Sequence, residues 1–352
     1  MTNVVQQPPY HILLLGDTSF GENYQQQIAR YGGLNILESK GYDHCMEKVA
    51  PLLSGADLVI ANLETPVTDI LRSPYEGIKK YLHYADPVKT PEALLKYGIH
   101  AVSLANNHLP DYGPEGLRQT LRCLKEHGIR HFGAGINAEA AAGYLSAGPG
   151  DGREIIIATG YEYRRSYGIF GYRFYAEGDH PGINKWSKGR APEQMKAIRS
   201  NHPDAYIIAY PHWGENYKWK NERQTELAHL LIDAGADLVI GHGAHALQEI
   251  GGYKGKPIIY SLGNFVFNSP GRYNNGNQIN SSLIARLIFS ADEKNPDIKL
   301  YPIVSDNMVT GYQPRPLESV EMKNLEEKLS SCNGLLSAVS AKDSYGYYFQ
   351  LG

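Results

Sequence analysis

Asp237-Leu238-Val239-Ile240-Gly241-His242-Gly243-Ala244-His245 is a short apolar run followed at once by two histidines. Leu238, Val239 and Ile240 do not alternate with polar residues, so this strand is expected to be covered on both faces, as in a parallel sheet. Gly241 ends the run and puts His242 and His245 on the turn that leaves it. Two imidazoles at the end of a buried strand are costly unless something engages their nitrogens, and a metal ion is the commonest such partner. Gly55-Ala56-Asp57-Leu58-Val59-Ile60 repeats Gly235–Ile240 residue for residue. The earlier copy leads into Ala61-Asn62-Leu63-Glu64 and so delivers a carboxylate. The echo reads as two similar strand–helix solutions, not as proof of duplication.

Outward from these two strands the same unit recurs. Ile12–Leu15, Ala101–Leu104, Ile155–Ala158 and Tyr206–Ala209 are further apolar runs, and Arg130–Phe132 is a brief one. Helices are expected over Asp43–Leu53, Pro91–Tyr97, Pro192–Ser200 and Glu222–Ala234. Another runs from Pro114 to Gly128, opened by proline and stopped by glycine. Thr65–Lys80 reads as a loop, Glu249–Ser261 as a hairpin around Lys254-Gly255, and Gly263-Asn264-Phe265 as a turn. Leu283–Phe289 and Ile298–Val304 are expected as late antiparallel strands, followed by an amphipathic helix Leu317–Leu335. Ser269–Ser282, rich in Asn and Gly, is expected to be mobile. Tyr161–Lys188 breaks the rhythm: it is crowded with aromatic residues around Arg164, Arg165 and Arg173, and reads as an inserted loop or small subdomain. No stretch looks like an interdomain linker, so residues 1–352 are read as one domain.

The 352 residues are 42% hydrophobic and 20% charged, ordinary values for a folded globular chain. A formal net charge of -3 offers no electrostatic pull toward nucleic acid or an anionic membrane. Cys45, Cys123 and Cys332 are scattered and odd in number, which argues against a disulfide framework and against a thiolate metal site. The start, Met1–Tyr10, lacks the basic head and apolar core of a signal peptide, and His11–Leu15 is too short to span a bilayer. A cytoplasmic protein without a membrane span is therefore expected. The 26 Tyr against 8 Phe suggest wet or ligand-facing aromatic surface as well as core.

Each strand places a candidate ligand just past its C-terminal end: Asp17, Glu64, Asn107-His108, His212, then His242 and His245. That edge is where open α/β sheets build their sites. Carboxylate, amide and imidazole without thiolate suit a divalent ion such as Mn, Zn or Fe, and a carboxylate among histidines can bridge two ions. Taken singly, each has a plainer reading. Asp17 could cap a helix, Glu64 could be a solvated acid, Asn107 could hold an Asx turn, and His212 could be a core histidine beside Trp213. Their common edge favours the ligand reading. His44, His83, His100, His127, His131, His180, His202 and His229 lack that placement and are read as structural or exposed.

The phrases Leu14–Asp17, Ala61–Glu64, Ser103–His108 with Asp111-Tyr112-Gly113, Pro211–Gly214, Gly241–His245 and Tyr260–Phe265 follow one another between Ile12 and Phe267. In that order they resemble the CapA-type family of capsule and poly-γ-glutamate biosynthesis proteins, within the calcineurin-like metallophosphatase superfamily. The resemblance implies a metallophosphatase-like sandwich of two mixed β-sheets flanked by helices. It implies one or two divalent metals, with Asp17 and His245 at the first, Asn107, His212 and His242 at the second, and Glu64 bridging. It implies His108 as general acid or oxyanion donor, Asp111 orienting it, and Asn264 supporting the ligands from behind. Two positions depart from the pattern. Ser19 stands where a metal-binding His is usual, which implies a weak first site. Gly243 and Ala244 stand where His or Pro is common, which is expected to leave more room.

The implied activity is metal-dependent hydrolysis of phosphoesterase type on an anionic substrate, such as a peptide or polyglutamate segment. The same site could instead epimerise a peptide or amino-acid residue. A third reading is a non-catalytic accessory protein of a poly-γ-glutamate or peptide ligase. In the insert, Arg164, Arg165 and Arg173 beside aromatic faces suit an extended anionic substrate. The plainer reading there is a surface subdomain whose tyrosines pack on one another.

Overall fold

Alternate side chains of the first strand, Tyr10–Ser19, go to different cores. Ile12 and Leu14 join a core between two sheets, while Leu13 and Leu15 join a core on the outer face, because successive residues of a strand point to opposite sides. The computed structural model describes residues 8–273, 279–291, 293–330 and 340–351. The second sheet divides its residues in the same way. Ile157, Ile208 and Ile240 face the shared core, whereas Ile156, Ile207 and Val239 face the helices Arg190–Asn201 and Glu222–Asp233. The result is a mixed α/β fold, a sandwich of two mixed sheets with helices outside. Leu238–Ile240 lies buried within the second sheet, which accounts for its unbroken apolar run.

In the first sheet Tyr10–Ser19 pairs parallel with Leu58–Leu63, which continues to Ala101–Ser103 and Arg130–Phe132. On its other side it pairs antiparallel with Ser281–Phe289, followed by Asp297–Val304 and Gly346–Leu351. The second sheet sets Ile155–Ala158, Tyr206–Ala209, Leu238–Ile240 and Lys256–Ile259 in parallel. The parallel strands Tyr10–Ser19 and Leu58–Leu63 of one sheet and Tyr206–Ala209 and Leu238–Ile240 of the other bring their C-terminal ends to one place. The two echoed phrases fall in different sheets. Asp57 and Asp237 each accept the backbone N–H of the neighbouring strand, from His11 at 2.7 Å and Ile207 at 2.9 Å, so one local device serves both.

Several elements differ from the sequence expectation. Asp43–Leu53 is not one helix but a 3-10 turn, Tyr42–Cys45, and a short helix, Ala50–Leu53; Pro51 fits only a first turn. The helices Glu22–Arg30 and Ile36–Lys40 were not foreseen. Glu22–Arg30 buries Glu22 and Gln25, so it shows no apolar period. The expected turn at Asn264 is a strand, Asn264–Phe267, lying parallel to the end of the first strand with Asn264 opposite Asp17. Ala341–Asp343 and Gly346–Leu351 add a final hairpin. Ser319–Ser330 is helical. Residues 331–335 of the expected helix, with Cys332, and 274–278 of the Asn-rich stretch lie outside the described residues. In the insert, Tyr161 stacks on Tyr167 and Tyr175, and Tyr172 on Phe174, so its aromatics pack on one another. Among the described residues no helix is long and apolar enough to cross a membrane.

Candidate metal centre

The strand ends fix the side chains before any ion is considered. A Cβ on Gly16 would lie 1.8 Å from the Gly263 carbonyl oxygen, so only glycine lets that carbonyl accept the Asp17 N–H at 3.0 Å. The Asn106 side chain accepts the N–H groups of His108 and Leu109, at 3.1 and 3.0 Å. Asn106, not Asn107, therefore holds the turn, and Asn107 is left to face His212 Nε2 at 2.9 Å. The His242 N–H donates to Pro211 O at 3.0 Å and draws the two histidine loops together. His245 has φ 57, a left-handed conformation that a β-substituted residue adopts only under constraint.

Asp17 is the centre of the cluster. Its Oδ1 lies 3.5 Å from His242 Nδ1 and 3.8 Å from His212 Nδ1, and its Oδ2 lies 3.2 Å from His245 Nδ1. Glu64 Oε1 lies 3.7 Å from His212 Nε2 and 3.6 Å from His245 Nε2. Two sets of donor atoms are close enough to share an ion: Asp17, His212 and His242, and Asp17, Glu64 and His245. The residue common to both is Asp17, whereas the sequence resemblance gives the bridging place to Glu64. Both Glu64 carboxylate oxygens and His242 Nε2 are buried without a hydrogen-bond partner. Buried polar atoms are almost always satisfied, so the two orphaned oxygens of Glu64, one of them beside His212 Nε2 and His245 Nε2, fit a cation ligand, while His242 faces the cluster through Nδ1. Oxygen and imidazole donors fit a divalent ion of the Mn, Zn or Fe class.

The electrostatics follow from burial and crowding. Burial pushes the Glu64 carboxyl well above its usual range, helped by Asp17 and opposed by His245. Burial would raise Asp17 too, but hydrogen bonds from His242 and His245 hold it well below the ordinary carboxylate range. Burial lowers His212 and His242. It opposes protonation of His245 as well, yet Glu64 and Asp17 push that residue up to about 9. Asn264 accepts from His245 Nδ1 at 2.9 Å. Asn62 donates to Asp17 Oδ1 at 2.9 Å, and the Gly243 N–H donates to Oδ2 at 3.0 Å.

The sequence matches the family described as Bacterial capsule synthesis protein PGA_cap over residues 11–269. The chain belongs to that family. It is 30% identical over 264 residues to the capsule biosynthesis protein CapA of Bacillus anthracis and 32% identical over 237 residues to the PGA biosynthesis protein CapA of Bacillus subtilis. Those matches cover 72% and 66% of this chain, which spans 59% of the length of each relative. A probable polyglutamine synthesis accessory protein of Mycobacterium tuberculosis is 32% identical over 288 residues, 72% of this chain and 73% of that protein. Among solved structures, the calcineurin-like phosphoesterase YfkN of Bacillus subtilis aligns over 92% of this chain and 97% of its own, with 11% identity and a TM-score of 0.38.

In this member of the family a cavity of about 550 Å³ opens beside His83, His108 and His245. Lys79 bonds Asp111 Oδ1, and the His83 N–H donates to Oδ2 at 2.7 Å, so Asp111 acts as an acceptor. His108 donates to it from Nδ1 at 2.7 Å, which leaves Nε2 for the cavity. Burial, then the Lys79 charge, lowers His108 well below the usual imidazole range. His83, read from sequence as structural or exposed, stacks on His108 at 3.5 Å between ring centres. Asn62, Asn106 and Lys79 were also missed; Asn62 and Asn106 lie within phrases that were singled out, but Lys79 and His83 carry no local signal. Ser19, in the place of the usual histidine, accepts the Gly21 N–H at 3.2 Å. Gly243 does not leave room: a Cβ there would lie 2.8 Å from the His212 ring. The insert arginines do not reach the cavity lining. Arg164 bonds Glu162 and the Gly214 carbonyl, tying the insert to the His212 loop, and Arg165 and Arg173 are exposed.

Proposed function

We propose that this chain is a metal-dependent hydrolase of phosphoesterase type acting on an anionic substrate. One observation carries the reading: two donor sets sharing Asp17 lie beside a cavity into which His108 presents Nε2. Asp17, Glu64, His212, His242 and His245 would hold one or two divalent ions, with Asn107 completing the His212 side. The ion would polarise the scissile group and acidify a water. Asn62 and the Gly243 N–H hold the Asp17 carboxylate in one orientation. Asp111 fixes the His108 ring, and His108 Nε2 would take a proton from the attacking water and return that proton to the leaving oxygen. The names of the Bacillus relatives, a capsule biosynthesis protein and a PGA biosynthesis protein, support capsule or PGA synthesis as the physiological context.

Epimerisation is the second reading. Nδ1–H bonded to Asp111 leaves Nε2 a proton acceptor in the neutral ring, which suits removal of a proton from carbon.

The test uses protein purified without chelators, loaded with Mn, Zn or Fe(II), and offered phosphomonoesters, phosphodiesters and acidic peptides. Phosphoester cleavage is expected, with His108→Asn lowering turnover about a hundredfold at unchanged metal content. Solvent deuterium entering a peptide without cleavage would establish the epimerase instead. No chemistry on any substrate, with biological function intact after His108→Ala, would leave an accessory role.

A further inference from the structure

Among the described residues no acidic side chain lines the cavity beside the centre, and Arg272 is its only lysine or arginine. The Arg272 guanidinium lies over the rings of Tyr217 at 5.3 Å and Tyr81 at 5.9 Å. Among the described residues no carboxylate pairs with it. An arginine fork held on aromatic faces at a cavity wall, with its donors uncommitted to any acid, is arranged for a planar or tetrahedral anion.

Tyr217 is not a casual neighbour. It has φ 57, and its N–H donates to Ala244 O at 2.7 Å, inside the turn between His242 and His245. Its ring lies on His245 at 5.7 Å and meets Tyr273 edge-on at 5.1 Å. A bulky residue held in the left-handed region belongs to the strained positions that cluster at ligand sites. Tyr24 forms another wall and bonds His83 Nε2 at 3.0 Å, behind the ring stacked on His108. A second cavity shares Tyr24 and Tyr81 with the first, so the cleft continues past them.

We infer that this cavity is the substrate-recognition site, with Arg272 taking an anionic group of the ligand, carboxylate or phosphate, while Tyr81 and Tyr217 flank the ligand's body. The reacting end then points to His108 and His245, and the rest of an extended ligand leaves between Tyr24 and Tyr81. This rests on the reading that the centre is the reaction site. It moves recognition from the insert arginines to Arg272.

The experiment is calorimetric titration of metal-free protein, wild type and Arg272→Gln, with two matched pairs of probes. One pair is an acetylated γ-glutamyl tripeptide and its carboxamide counterpart; the other is phenyl phosphate and phenol. Wild type should bind the anionic member of at least one pair about tenfold tighter than its neutral partner, the scale of one charge-assisted contact. Arg272→Gln should abolish that preference, and Arg272→Lys should keep part of it. The pair that discriminates identifies carboxylate or phosphate as the recognised group. No preference in either pair, or a preference that survives Arg272→Gln, overturns the inference. Binding is read without metal, so failure of the hydrolase reading leaves this result standing. Conversely, phosphoester cleavage with the same KM in wild type and Arg272→Gln would keep the hydrolase and overturn the recognition site.

Discussion

Gly243 sits between the two histidines of the centre with φ 101 and gives its N–H to Asp17. Gly243→Ala tests how tightly the centre is built. The new Cβ would lie 2.8 Å from both Cδ2 and Nε2 of His212 and 2.9 Å from the Trp213 carbonyl oxygen. Alanine in a left-handed conformation costs about 1–2 kcal/mol. The steric contact adds about 1–3 kcal/mol, because a ring packed on all sides must shift. A total of about 2–5 kcal/mol is therefore expected from the two effects together. Gly98 is the control: its φ is 75, but nothing lies within 4 Å of the Cβ position. Gly98→Ala should lose only the backbone part, about 1–2 kcal/mol. Urea unfolding of metal-free protein measures both variants, and equilibrium dialysis measures metal affinity. Gly243→Ala should lose more stability than Gly98→Ala and should alone weaken metal binding. Equal losses, or native metal affinity in Gly243→Ala, would refute the packing argument.

Further outcomes follow from the same geometry. Chelator titration should show two unequal metal affinities, the set with Glu64 and His245 emptying first, because Ser19 supplies no imidazole there; two equally tight ions would contradict this. Asn62→Ala should weaken metal binding about 10- to 100-fold by freeing the Asp17 carboxylate, an effect typical of residues that orient ligands; an unchanged affinity would remove that role. Glu22 supplies a pH prediction away from the centre. Burial raises its carboxyl above the usual value, so the folded state holds the proton longer than the unfolded state. Stability should therefore fall as pH rises from about 4 toward neutrality, and Glu22→Gln should flatten that slope. Parallel stability–pH curves for the two proteins would show that Glu22 is not the source.

The strands were legible because their apolar runs are continuous, and Leu238–Ile240 shows why: both faces are covered. The ligand edge was legible because polar residues stand directly after those runs, as Asp17, Glu64 and His242 do. What the sequence hid is long-range. Lys79 meets Asp111 only after a loop folds back, and His83 reaches His108 the same way. Glu22–Arg30 was missed because its buried residues are polar and held by partners far along the chain: Thr90 for Glu22 and Asn268 for Gln25. The insert drew attention through its composition, yet its tyrosines satisfy one another. Arg272, a single arginine in an Asn- and Gly-rich stretch, gave no local sign that a cavity would form around it.

The central claim is that the Asp17 cluster binds a divalent ion. Elemental analysis of protein purified without chelators and dialysed against Mn, Zn or Fe(II) tests it most directly, with Asp17→Asn as the paired variant. One or two ions per chain are expected in the wild type and loss of bound metal in Asp17→Asn, with unfolding of the metal-free proteins still cooperative. A wild-type chain that retains no ion, or an Asp17→Asn variant that retains as much as the wild type, would contradict it.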